Sequence, residues 1–268
     1  MDFPEMNQYA MYFCEQTGMH HFMFDGMGFR TEDETREMLR QLQIAGISEL
    51  HFTFYGSEDY HDRFAGRLGD YQFMILTAKI ARQLGMKFTS GIMVTAENVD
   101  QIDNLYLVLQ KEGFSRISLL MPHGKGRGYN LSAHRLTEEL CQRLPEELKP
   151  YFLNKRYRAE AEWLASGNFS GVDARYLTLS LTPDNIDRLE KMHPADIIAE
   201  LEAMDDWFYR NLPDVETLAR MYGDTKNMQL FRFRDLYIQW QRRYLMEHPI
   251  EPDMTDERYS FSTYIFQE

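Results

Sequence analysis

The first 130 positions alternate between two kinds of segment. Short apolar runs at 20–24 (HHFMF), 50–55, 88–94 and 116–121 read as strands. Between them lie longer stretches at 31–46, 70–84 and 98–112, with apolar residues three and four apart, which read as amphipathic helices. An earlier helix is expected at 5–16, ending at Gly18. Thr31 opens the next one with TEDE, a capping box that places Glu34 three residues on. Met38, Leu39, Leu42 and Ile44 are expected on its inner face, with Gly46 at its end. Gly85 and Gly113 close the other two helices. Residues 56–69 and 123–128 read as polar, glycine-bearing loops.

Strands alternating with helices of this length pair in parallel through right-handed crossovers. The strand runs are nearly all apolar, as expected where both faces of a sheet are covered. Chemistry in such folds sits in the loops after the strands. The stretches 25–31, 56–69, 95–98 and 122–130 are therefore expected to share one rim. His20 and His21 are adjacent on a strand and point to opposite faces, so they do not chelate one metal together.

The second half has a different rhythm. Helices are expected at 131–144, 184–192, 195–212, 215–222 and 226–247, with one strand at 175–181 (RYLTLSL). Pro183, Pro194 and Pro213 fall at helix starts, where a missing N–H costs little. Trp207, Phe208, Tyr209 and Leu212, and likewise Leu236, Tyr237, Trp240 and Tyr244, form helical stripes that belong to a core. Asp205 and Asp206 read as solvent-facing.

Composition narrows the function classes. Of 268 residues, 44% are hydrophobic, which suffices for a core, and 42 acids against 29 bases give a formal charge of −13. That balance is a poor match for nucleic acid; the one basic stretch, 149–158, reads as a solvated segment. No run approaches roughly 18 uninterrupted apolar residues, so no membrane span is expected. The start of the chain has acids in place of a basic targeting region, which points to a cytoplasmic location. The two cysteines, Cys14 and Cys141, supply neither a disulfide framework nor a four-thiolate metal site, and no metal ligands are assigned.

The most informative string is FTFYGSEDYHDRFAGRLGDY at 52–71. A strand ends in Tyr55-Gly56; His61-Asp62-Arg63 follows, then Gly66 and Gly69 before a helix. By chemistry alone, this run either binds a polar ligand or holds its own loop by internal ion pairs. Further on come Val94-Thr95-Ala96-Glu97-Asn98, then Leu120-Met121-Pro122-His123-Gly124-Lys125-Gly126-Arg127. In order and spacing, these pieces resemble the peptide-maturase-like branch of the radical SAM superfamily. The likeness covers residues 5–130.

That resemblance implies an α/β fold: a partial (βα) TIM-type barrel with parallel strands over 1–130, and a mostly helical region with one extra strand over 131–268. It implies that Thr53 and Tyr55 on one strand, with Ser90 on the next, are the positions nearest SAM. His61, Asp62, Arg63, His123, Lys125 and Arg127, on the loops after the strands, are the candidate substrate-binding rim. The Cys-x3-Cys-x2-Cys cluster motif and the Gly-Gly-Glu segment of the family are absent from this sequence, and two cysteines do not supply three cluster ligands. No cofactor is therefore expected in this chain. SAM and a [4Fe–4S] cluster enter only if the native protein extends upstream.

Three readings follow: the C-terminal part of a radical SAM enzyme, inactive as it stands; a binding or scaffold protein that uses the old barrel mouth; or an unrelated barrel enzyme with a polar rim. The missing first strands leave an open parallel edge. The strand at 175–181, the tail, or a peptide, protein or homodimer partner is expected to cover it.

Overall fold

The structure, a computed structural model, describes residues 20–122, 126–154, 156–169 and 183–255, with Gly18 and Leu179. The helix expected at 5–16, Cys14, the strand expected at 175–181 and the end of the tail lie outside the described residues. The chain divides into two compact units, Met1–Pro122 with His134–Tyr151, and His123–Ala133 with Phe152–Glu268.

The first unit is mixed α/β. Its elements run β1 (His21–Met23), α1 (Glu32–Ile44), β2 (Glu49–Phe54), α2 (Glu58–Ala65), α3 (Asp70–Gln83), β3 (Lys87–Met93), α4 (Ile102–Glu112) and β4 (Ile117–Leu120). All four strands are parallel and lie in chain order, β1-β2-β3-β4. No closed barrel is seen among the described residues. Leu50, Phe52 and Phe54 are fully buried. Their rings and those of the neighbouring segments interlock at 4.9–5.7 Å: Phe52 with Phe114, Phe54 with Tyr71, Phe88 with Phe114, and Phe24 with Phe73. Edge-to-face aromatic packing of this kind adds to the area buried.

Local signals explain most boundaries. Thr31 and Glu34 form the reciprocal cap: Glu34 N–H donates to Thr31 Oγ1 at 3.3 Å and Thr31 N–H to Glu34 Oε2 at 2.8 Å. Met38, Leu39 and Leu42 face inward, but Ile44 is 74% exposed. Two residues past Leu42 is about 200° round the helix, so Ile44 falls on the outer side. The loop expected at 56–69 contains α2. Ser57 has extended N-cap angles, Glu58 and Asp59 fill the first turn, and Gly66 ends the helix with φ 68°. Glycines that read as loop in sequence are here the ends of a short helix.

The helix expected at 131–144 is instead a 3-10 segment, Gly126–His134, followed by one turn, α5 (Glu138–Cys141). Thr137 starts that turn by accepting from Leu140 N–H at 3.2 Å. Upstream, Arg135 is buried and donates to the carbonyl of Pro122, which holds the chain out of a continuous helix.

The second unit contains β5 (Arg158–Ala159), α6 (Glu160–Ser166), α7 (Ile186–Leu189), α8 (Pro194–Asn211), α9 (Val215–Tyr222), β6 (Leu230–Phe231) and α10 (Phe233–Glu247). Trp163, Leu218, Phe231, Leu236 and Trp240 form its core. β5 and β6 pair antiparallel, a bridge the periodicity did not signal. It shortens the helix expected at 226–247. Glu160 is buried and accepts from Trp240 Nε1–H at 2.9 Å, Asp224 N–H at 3.0 Å and Asn227 Nδ2–H at 2.7 Å. Those bonds fix residues 224–227 as a turn, and α10 starts only at Phe233. The helix expected at 184–192 contracts to Ile186–Leu189. Asp205 is buried, against the expectation that it faces solvent. Among the described residues, no helix is long and apolar enough to cross a membrane.

Candidate functional site

The strand register sorts the side chains of the parallel sheet into two faces. Phe52 pairs with Ser90, and Phe54 with Ile92, on the apolar side. On the other side the rows are His21, Glu49 and Lys87; then Met23, His51 and Thr89; then Thr53, Gly91 and Ser118; then Met93 and Leu120. β2 is therefore not a run covered on both faces. Its ELHFTF alternates, with Glu49, His51 and Thr53 half-buried between fully buried neighbours.

This second face carries a linked polar set. Asp25 follows β1, and its carboxylate accepts from Thr53 N–H at 2.8 Å and Thr53 Oγ1–H at 2.7 Å. His51 Nδ1 lies 2.9 Å from Thr89 Oγ1, which lies 3.4 Å from Glu49 Oε1. The threonine hydroxyl thus stands between the imidazole and the Glu49 carboxylate. A Cβ added at Gly91 would stand 3.4 Å from His51 Nε2 and 2.9 Å from Leu120 Cδ1, so the ring lies over a position that only glycine leaves open. Burial holds the His51 imidazolium below its ordinary value of 6.5. Asp25 and Glu49 oppose that shift, and Arg116 and His21 add to it. At neutral pH the ring is an uncharged acceptor, a state suited to binding a donor or to general-base work.

The residues singled out from sequence are placed differently. Thr53 lies on the polar face with its hydroxyl committed to Asp25. Ser90 is buried on the opposite, apolar face and donates to the Gly91 carbonyl at 3.2 Å. The Tyr55 ring packs against His61 and Phe64, with centroids 5.1 and 4.6 Å away. The three do not converge on one ligand. His61 is fully buried: its Nδ1 accepts from Tyr55 N–H at 3.2 Å and its Nε2 meets Asp70 Oδ2 at 3.2 Å. Asp62 accepts from Gly69 N–H at 2.5 Å and Tyr71 N–H at 2.9 Å, which caps the start of α3. Arg63 is exposed, its guanidinium 5.2 Å from the Tyr60 ring centroid. His61 and Asp62 thus hold the segment between β2 and α3 by bonds within the first unit. His123, Lys125 and the Arg127 side chain lie outside the described residues.

The Thr95–Asn98 segment is also a brace. Asn98 Nδ2–H donates to the carbonyls of Tyr55 and Met93, at 2.5 and 2.8 Å, and its Oδ1 accepts from Thr95 N–H at 2.7 Å. It ties the ends of β2 and β3 together. His20, beside the sheet, has its Nδ1 2.9 Å from the Gly46 carbonyl.

The described residues do not fit an iron–sulfur cluster. Cys141 is buried and desolvation pushes its thiol up to about 12, so it stays protonated, whereas cluster ligands are thiolates that converge. No group of three or more His, Cys, Asp or Glu among the described residues is placed to hold a metal ion.

Sequence reasoning missed His51, Asp25, Glu49 and Thr89. The signal available was the strict alternation of ELHFTF, which marks a strand with one polar face. No family model matches the chain, and no curated protein matches it.

Proposed function

We propose that the first unit is an arc of a (βα) barrel of the radical SAM type, and that its polar sheet face binds a small polar ligand without a cluster or SAM. Consecutive parallel strands joined by right-handed crossovers put all the crossover helices on one side, and the opposite face becomes the barrel interior. The strand order supports this arc. So does the way α1 and α4 both pack beside α3. The observation that carries the binding reading is His51, half-buried on the polar face with its Nδ1 2.9 Å from Thr89 Oγ1 and its protonation influenced by Asp25 and Glu49. An oriented, neutral imidazole is a binding or catalytic device more than a stabilising one.

The outer edge of β1 bonds to no other strand among the described residues. The same reading has that edge covered by a peptide or protein partner, a second copy of this chain included.

Thermal unfolding against a panel of small amines, carboxylates, phosphates and SAM tests the reading. A saturating panel member is expected to raise Tm in the native chain and to lose that effect in Asp25→Asn, because a ligand at 100 times its Kd stabilises by about 2.7 kcal/mol. A saturable shift with SAM that depends on Ser90 would contradict the reading, as would a panel in which no member shifts Tm.

A further inference from the structure

The turn after β1 carries the only Asp-Gly pair of the sequence, Asp25-Gly26, and the sequence has no Asn-Gly. Gly26 has a φ of 74°, a backbone conformation that favours glycine. The turn therefore demands the residue whose peptide nitrogen is least shielded, because no Cβ stands beside it. Gly26 is exposed, and among the described residues its N–H donates to no acceptor.

The Asp25 carboxyl carbon and the Gly26 nitrogen are the two ends of a five-membered ring that one new bond closes. The nitrogen attacks Cγ, the N–Cγ bond forms, and the amide proton leaves with the carboxyl OH as water, giving a succinimide. Water then adds to either ring carbonyl. Opening at Cγ restores aspartate; opening at the backbone carbonyl routes the chain through Cγ and leaves isoaspartate. One water leaves and one enters, so the change needs no oxidant, reductant or cofactor. What stands against ring closure is Thr53. It engages both carboxylate oxygens from β2, Oδ1 through its N–H at 2.8 Å and Oδ2 through its hydroxyl at 2.7 Å. The oxygen that must depart is held, and the carboxylate is fixed against the neighbouring strand. We propose that Asp25-Gly26 is a site of spontaneous isomerisation to isoaspartate, and that the Thr53 hydroxyl is the positioning group that holds it in check. The product has one more backbone carbon and draws the carboxylate off Thr53. The charge that acts on His51 moves with it.

The test is incubation of the native chain in 18O-labelled water at pH 7.5, then digestion in ordinary water and mass spectrometry of the peptide that holds residues 25 and 26. Each ring opening installs a heavy oxygen at residue 25, and electron-transfer fragmentation separates isoaspartate from aspartate. Thr53→Val is expected to label about tenfold faster, the scale of one hydrogen bond to a charged group. Thr53→Ser keeps the hydroxyl and is expected to stay near the native rate. Asp25→Glu, whose longer side chain closes no five-membered ring, is expected to take up no label there. In urea, where Thr53 holds nothing, the native chain is expected to label at least as fast as folded Thr53→Val; that comparison with the folded native chain decides should the variant not fold. Equal rates in the native chain and Thr53→Val overturn the role of Thr53, as does a folded native chain that labels as fast as it does in urea. No label at residue 25 in either Thr53→Val or urea overturns the site itself.

Discussion

The two faces of one four-stranded sheet do different work. On the helix side Leu50, Phe52 and Phe54 are sealed, and aromatic rings meet edge to face. On the other side Glu49, His51 and Thr53, from the same six-residue strand, are half-buried and linked to Asp25 and Thr89. Apolar burial is cheap to specify and tolerant of detail. A half-buried polar set has to satisfy each donor and acceptor, and an atom left open stands out. The comparison teaches that β2 separates its sealed apolar side chains from its half-buried polar ones by the direction each side chain points.

Substitutions along β2 and its supports break that comparison if it is wrong. The largest effect belongs to the sealed face: Phe52→Ala is expected to cost about 3–5 kcal/mol in denaturant unfolding, from lost transfer energy and the cavity left behind. Next comes the scaffold under the rim. Asp62→Ala leaves the Gly69 and Tyr71 amides without their acceptor and is expected to cost about 2–3 kcal/mol. If Asp62 were instead a ligand contact, the variant would keep its stability and lose binding.

A smaller effect reads the polar face. The folded state holds His51 below its ordinary value of 6.5, so on acidification the unfolded chain takes up that proton first. This share of stability is complete above 6.5 and is lost as pH falls toward the folded value. His51→Gln is therefore expected to flatten the acid flank of the stability profile and leave the neutral range nearly unchanged. The smallest effect is at Ile44, where Gln is expected to change stability by less than about 0.5 kcal/mol, because the side chain is outside the core.

Much of the first unit was legible because its signals are local. The Thr31–Glu34 box, the terminal glycines and the apolar runs fixed four strands and three of the helices between them. What escaped depended on partners distant in sequence. His61 and Asp62 read as rim residues until Asp70, Gly69 and Tyr71 are seen to bond them, while Arg63 stays exposed. Residues 226–232 look helical until Glu160, far upstream, claims the turn. Ser90 and Thr53 are both polar strand residues, and only the register shows them on opposite faces. His51 was hidden for the same reason: a lone histidine between a leucine and a phenylalanine gains meaning only from Thr89 and Glu49 alongside it.

The central claim is that burial on the polar face favours the neutral His51 ring while the Asp25 charge opposes that shift. The most direct measurement is the pH titration of the 13C-labelled His51 ring in the native chain and in Asp25→Asn. The account predicts a native transition below 6.5 and a transition lower still in the variant, since Asp25 favours the charged ring. A transition at or above 6.5 that ignores Asp25→Asn would contradict it.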